Sequence, residues 1–164
     1  MKKTIKNAAS VITLLTIFCF FTAASQVKRT DFSGAWNINL DKSENGTAAP
    51  VTMKITQSTD SLIIERTTSD DKSFVEKLSF DGKTNVCTTT SNRKKSGSAH
   101  WNEDGSSFIE TAVLGDMSDP DKVAFNVTEQ WKISTDQKEL TVESLVKAAD
   151  GREFKINAVF ERQQ

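Results

Sequence analysis

Tyrosine is absent from these 164 residues, and there are only one histidine and two cysteines. That inventory excludes a zinc site built from Cys and His, and it leaves no thiol–imidazole pair with ligands to spare. Neither charge sign is in excess, with 21 Lys plus Arg against 22 Asp plus Glu. A dedicated nucleic-acid binder would carry a strong basic surplus. The length suits one domain with a single core. At 37% apolar and 26% charged residues, the chain is apolar-poor but not composed like a disordered one.

The one long apolar run lies at the N-terminus. Lys2, Lys3 and Lys6 precede Val11–Phe21, and the small residues Thr22, Ala23, Ala24 and Ser25 follow. This is the order of a secretory signal peptide, and the run is too short for a comfortable membrane span. The expected organisation is therefore a signal peptide over 1–25, cleaved after Ser25, and one β-barrel domain over 26–164. Phe18 stands before Cys19 where a lipidation signal wants a small residue. The expected location is the periplasm or the extracellular medium. Losing three lysines takes the formal charge from −1 to −4. Only Cys87 then remains, so no intrachain disulfide can form, and the thiol reads as a small buried hydrophobe.

Beyond the leader the dominant pattern is alternation. Phe32, Gly34, Trp36, Ile38 and Leu40 occupy every second position, as do Val51, Met53 and Ile55. Val123, Phe125, Val127, Trp131 and Ile133 do so again, followed by Phe154, Ile156, Ala158 and Phe160. Period two puts one face in a core and the other in water. Asp-Gly pairs at 81–82, 104–105 and 150–151 mark tight hairpins between such runs. The segment 140–149 also carries helical spacing, but its place between a strand and an Asp-Gly turn reads as strand. The expectation is an all-β fold: an antiparallel up-and-down meander of about ten strands, closed into a barrel that removes both edges. The ten runs are 32–40, 51–58, 62–69, 74–80, 84–91, 96–102, 107–114, 123–135, 139–148 and 153–162.

Gly34-Ala35-Trp36 on the first strand resembles the G-x-W signature of the lipocalin and fatty-acid-binding-protein superfamily, the calycins. Phe160-Glu161-Arg162 on the last strand resembles that superfamily's aromatic-then-Arg ending. Taken whole, the chain resembles exported bacterial lipocalin-like proteins. The resemblance implies a barrel closed at one end by Gly34, Trp36 and Arg162, with the guanidinium of Arg162 over the indole of Trp36.

The parity of the strands carries charge inward. Arg66 shares a face with Leu62 and Ile64, Glu76 with Phe74 and Leu78, Glu110 with Phe108 and Ala112, and Glu129 with Val127 and Trp131. Buried charge is costly unless it is paired or wetted. These residues form either a polar patch for a ligand's head group or an internal Arg–Glu network. The candidate ligand-binding set is Arg66, Glu110, Glu129, Met53, Phe108, Phe125 and Trp131, with Trp101 a further candidate wall. In the first reading Arg66 meets an anionic group at two points.

Other features read as structural. His100 lacks a nucleophile at recognisable spacing, and Asp116, Asp119 and Asp121 do not match a calcium loop. Asp60-Ser61-Leu62 resembles an O-glycan acceptor triplet of some exported bacterial proteins. The expected function is non-enzymatic binding of a small apolar or amphipathic ligand. No cofactor, metal, nucleic acid or membrane-integral segment is expected after cleavage, and the state is monomeric. The alternatives are a cell-envelope structural or interaction module with a filled barrel, and an enzyme using Glu110 and Glu129.

Overall fold

A computed structural model describes residues 27–163, and the signal-peptide reading of 1–25 lies outside them. Ten strands follow one another: β1 (Gly34–Ile38), β2 (Thr52–Gln57), β3 (Ser61–Thr67), β4 (Ser73–Ser79), β5 (Asn85–Thr88), β6 (Lys94–Trp101), β7 (Ser107–Gly115), β8 (Val123–Ile133), β9 (Glu139–Ala148) and β10 (Glu153–Arg162). A 3-10 turn, Gly46–Ala48, occupies the longest connection before β2. The ambiguous 140–149 segment is strand β9, paired on both sides. Among the described residues, no helix is long and apolar enough to cross a membrane.

All pairings are antiparallel, and the ladder runs β4-β3-β2-β1-β10-β9-β8-β7-β6-β5. First and last strands are neighbours, with Trp36 opposite Arg162 and Ile38 opposite Phe160. The meander thus curls into a nearly closed barrel whose two free edges are β4 and β5. These edges touch but share no ladder. The seam falls where the strands are least able to zip. β5 has only four residues, and inward groups of β4, β5 and the neighbouring β6 border a crevice at Glu76, Leu78, Cys87 and Lys95.

The interior divides into two halves. Phe32, Trp36, Leu62, Phe108 and Trp131 are fully buried at one end. There Phe108 stacks on Trp131 with ring centroids 5.2 Å apart, and Phe32 meets Phe108 edge-on at 4.9 Å. Offset and edge-on pairs of this kind add to the area they bury. Trp101 joins this group against Phe32 and Phe80. Arg29 lies 5.5 Å from the Trp101 ring and donates to Thr59 O, so the chain before β1 straps this end shut.

Where the first and last strands meet, Arg162 lies over Trp36. The Arg162 guanidinium carbon lies 4.2 Å from the Trp36 ring centroid. Arg162 also donates to Ser33 O at 2.6 Å and to Gln137 O at 2.9 Å, and the indole N–H donates to Phe32 O at 3.2 Å. Gly34 has φ +139°, and a Cβ there would sit 2.5 Å from Arg162 Nη1. Its conformation therefore requires glycine, and a Cβ would also push the Arg162 guanidinium off its place.

Candidate functional site

Midway along the barrel, the inward charges predicted from parity come together. Arg66 projects from β3 between Glu76 of β4, Glu110 of β7 and Glu129 of β8. Its Nε donates to Glu76 Oε1 at 2.5 Å, and its Nη2 to Glu129 Oε2 at 2.9 Å and Glu110 Oε2 at 3.3 Å. Lys95 of β6 completes the group, donating to Glu76 Oε2 and lying 2.6 Å from Glu110 Oε1. The Arg66 guanidinium also sits 5.1 Å from the Trp131 ring, so the cluster rests directly on the packed aromatic end. All five residues are buried.

Three carboxylates share two cations, and burial sets how they titrate. Burial pushes the Glu110 carboxyl up to about 8; Glu76 and Glu129 reinforce the rise, while Lys95 and Arg66 oppose it. For Glu129 burial also works upward, but Arg66 and Lys95 outweigh it and hold the carboxyl down at about 2. Burial likewise opposes the charge on Arg66, yet the surrounding carboxylates raise its pKa further above the usual range. The Cys87 thiol, half-buried beside the seam, is pushed up chiefly by burial.

These opposite shifts predict an asymmetric pH–stability curve. Between about pH 4.5 and 8 the folded protein keeps a proton on Glu110 that the unfolded chain releases, so stability falls as pH rises through that window. Below about 4.5 the unfolded chain takes up a proton that folded Glu129 refuses, so stability also falls towards acid. The thermal midpoint is expected to be highest near pH 4–5. The alkaline limb reaches at its steepest about 1.4 kcal/mol per pH unit. Calorimetry across pH checks this, and Glu110→Gln should flatten the alkaline limb. A midpoint that climbs steadily from pH 5 to 8 would contradict the proton on Glu110.

Beyond the cluster the barrel is not filled. A cavity of about 380 Å3 lies towards the end where the β3–β4, β5–β6 and β9–β10 turns gather. Its walls are apolar: Met53, Phe74, Leu114, Phe125, Val127, Val142, Val146, Phe154, Ile156 and Phe160. Arg66, Lys95, Glu129 and Ser144 supply its polar floor, and Ala48, Ala49 and Pro50 border it from the 3-10 turn.

Of the residues singled out by parity, Arg66, Glu129, Met53 and Phe125 line this cavity. Phe108 and Trp131 are stacked in the packed end, and Glu110 lies behind the floor beside the seam crevice. Arg66 is not a free anion receptor, because four of its donor contacts are to the three carboxylates of the protein itself. Lys95 was legible by the same parity, since it shares a face with Gly97, Ala99 and Trp101. It falls within a Lys-Lys pair that reads as the turn before β6. Ser144 escapes notice because a lone hydroxyl between Val142 and Val146 carries no charge signal.

The remaining candidates lie elsewhere. His100 is exposed on the outer face of β6. Asp116 accepts hydrogen bonds from the Ser118 N–H and hydroxyl, and Asp121 pairs with Lys94 at 3.0 Å, as in an ordinary solvated turn. Ser61 begins β3 with its hydroxyl 3.0 Å from that of Ser58.

No family model and no curated protein matches the sequence. Among solved structures, the chain is similar to the zebrafish ileal bile acid-binding protein complexed with cholic acid. The TM-score is 0.54 at 13% identity, over 80% of this chain and 98% of that one. At that identity the likeness is one of fold: an antiparallel meander curled into a nearly closed barrel.

Proposed function

We propose that this protein is a non-enzymatic binding module that encloses a small amphipathic ligand, tail against the apolar walls and polar head at the Arg66–Lys95–Glu129 floor. The observation that carries the reading is the cavity itself: about 380 Å3 of apolar-walled space ending on buried charge. Small-molecule sites commonly measure about 300–1,000 Å3, with apolar walls and a few convergent polar groups. The bile-acid complex of the similar barrel supports the reading at the level of fold. The N-terminal Lys-rich, then apolar, then small-residue order supports action outside the cytoplasm.

The two alternatives have less support. A structural module would need a filled interior, and here only the aromatic end is filled. An enzyme using Glu110 and Glu129 would need both carboxylates on one cleft, whereas Glu110 is 1% exposed and only Glu129 borders the cavity.

Titration with the uncharged fluorescent probe N-phenyl-1-naphthylamine tests the reading. Saturable binding is expected, and Val127→Trp should weaken it at least about tenfold, roughly 1.4 kcal/mol, by filling the cavity. Val127 is half-buried and faces the open space of the cavity, so a larger side chain there has room and the variant should melt near the wild type. Absence of saturable binding by the wild type would favour the filled-barrel module.

A further inference from the structure

The charge cluster at the cavity floor is one cation short. Glu110 is faced by Lys95 from β6, Arg66 from β3, Glu76 from β4, Glu129 from β8 and the Cys87 thiol from β5. Three of these five neighbours are acids, counting the thiol, and only two are bases. Buried charge is tolerated when it is balanced. With Arg66 and Lys95 both charged, balance requires either that one carboxyl be protonated or that a third cation arrive.

The geometry shows where a third cation fits. Glu129 is the carboxylate that borders the cavity. Its Oε2 takes the short bond from Arg66. Its Oε1 has only long contacts, to Arg66 Nη1 at 3.4 Å and Ser144 Oγ at 3.5 Å. A carboxylate oxygen accepts about two hydrogen bonds, so this atom is under-used. Glu110 stands directly opposite Glu129 in the ladder and is the carboxyl that holds the balancing proton. A route for that proton exists on the far side of the cluster. The crevice at the β4–β5 seam, about 10 Å3 in volume, is lined by Glu76, Cys87, Lys95 and Glu110, and is about the room one water needs.

Resting on the ligand-binding reading, we propose that the ligand's head group is a protonated amine, which donates to Glu129 at the cavity floor while Glu110 releases its proton to water at the β4–β5 seam. Three cations then face three carboxylates. One proton leaves for each ammonium that enters, and no covalent bond changes except that O–H. An anionic head group has the opposite effect. It adds a fourth acid to the cluster and finds Arg66 already committed. A primary alkylammonium, with an ordinary pKa near that of lysine at about 10.4, stays charged throughout the range in which Glu110 titrates.

Octylamine, 1-octanol and octanoate share one tail and differ only in the head. Displacement of N-phenyl-1-naphthylamine from the wild-type protein at pH 7 is expected to rank octylamine first, with octanoate weaker by at least about tenfold. Octylamine affinity should rise about tenfold from pH 6 to 7 and level off above about 8, where Glu110 is already ionised. Calorimetry at pH 7 in buffers of different ionisation enthalpy should report close to one proton released per octylamine bound. Glu110→Gln, which keeps the shape of the protonated carboxyl, should bind octylamine more weakly and without that pH dependence.

Octanoate binding as tightly as octylamine, or octylamine binding with no proton release, overturns the amine assignment while leaving the cavity reading intact. Failure of all three to displace a probe that does bind also overturns the assignment. Failure of the probe itself to bind overturns the cavity reading, and the assignment with it. The wild-type measurements decide the matter even should Glu110→Gln fold poorly.

Discussion

Arg66→Ala is expected to lower the unfolding free energy by about 3–5 kcal/mol, the range for removing one partner from a buried ion pair. Domains commonly have about 5–15 kcal/mol in all, so the variant should be largely unfolded at moderate temperature or low denaturant. The reason is the charge left behind. Glu76, Glu110 and Glu129 all accept from Arg66, and without it Lys95 is the cluster's only cation. The three carboxyls must then take up protons or admit water. The unfolding midpoint of the variant should accordingly recover partly in acid, where protonation relieves the repulsion. Arg66→Lys should fall between, because an ammonium restores charge but not the planar fork that reaches three strands at once. Urea denaturation at pH 5 and pH 8 measures all of this. A wild-type midpoint for Arg66→Ala at pH 8 would mean that water, not Arg66, balances the carboxylates.

This expectation changes the part Arg66 plays in binding. From the sequence, Arg66 stands out as an inward cation on β3 and invites pairing with an anionic ligand. Parity alone cannot tell a head-group receptor from the centre of an internal network. That difference depends on which strands face β3 across the barrel, and the register of one hairpin does not contain it. Glu110 and Glu129 are legible as inward on β7 and β8 and stand directly opposite each other in the ladder. Only barrel curvature brings them within reach of Arg66.

The fold is more openly written. Period two fixes a strand's faces, and Asp-Gly pairs mark three of the reversals, so the ten strands emerge within a few residues of their observed ends; the hairpin expected at Asp81-Gly82 does not form, because β4 and β5 share no ladder. The seam between β4 and β5 is not legible, because the run 84–91 reads as a full strand whereas β5 forms only over Asn85–Thr88, too short to ladder along β4. The aromatic residues likewise cannot be divided between wall and plug by type. Phe125 lines the cavity while Phe108, just as apolar, stacks on Trp131 in the packed end. What separates them is height along the barrel axis, which depends on the stagger of all ten strands together.

Trp36→Ala is expected to cost about 3–5 kcal/mol, as for other fully buried aromatics. Trp36 is 0% exposed, and its ring plugs the closed end between Phe32 and Arg162. Its loss empties a space that the surrounding strands cannot collapse into, because Trp36 is held in register with Met53 on one side and Arg162 on the other. The truncation also leaves the Phe32 carbonyl without its indole donor and removes the ring beneath the guanidinium. Arg162→Ala should cost less than Trp36→Ala. It removes a cation–π contact of about 0.5–2 kcal/mol and two donors to backbone carbonyls, but no core volume. A double-mutant cycle on the two residues should return a coupling of about 0.5–2 kcal/mol if the stacked guanidinium stabilises the closure directly. Because Trp36 does not line the cavity and meets its wall only through Met53, any Trp36 variant that still folds should bind N-phenyl-1-naphthylamine about as tightly as the wild type. Zero coupling in the cycle would reduce Arg162 to a surface lid, and loss of probe binding in a folded Trp36 variant would mean that the two ends of the barrel are not independent.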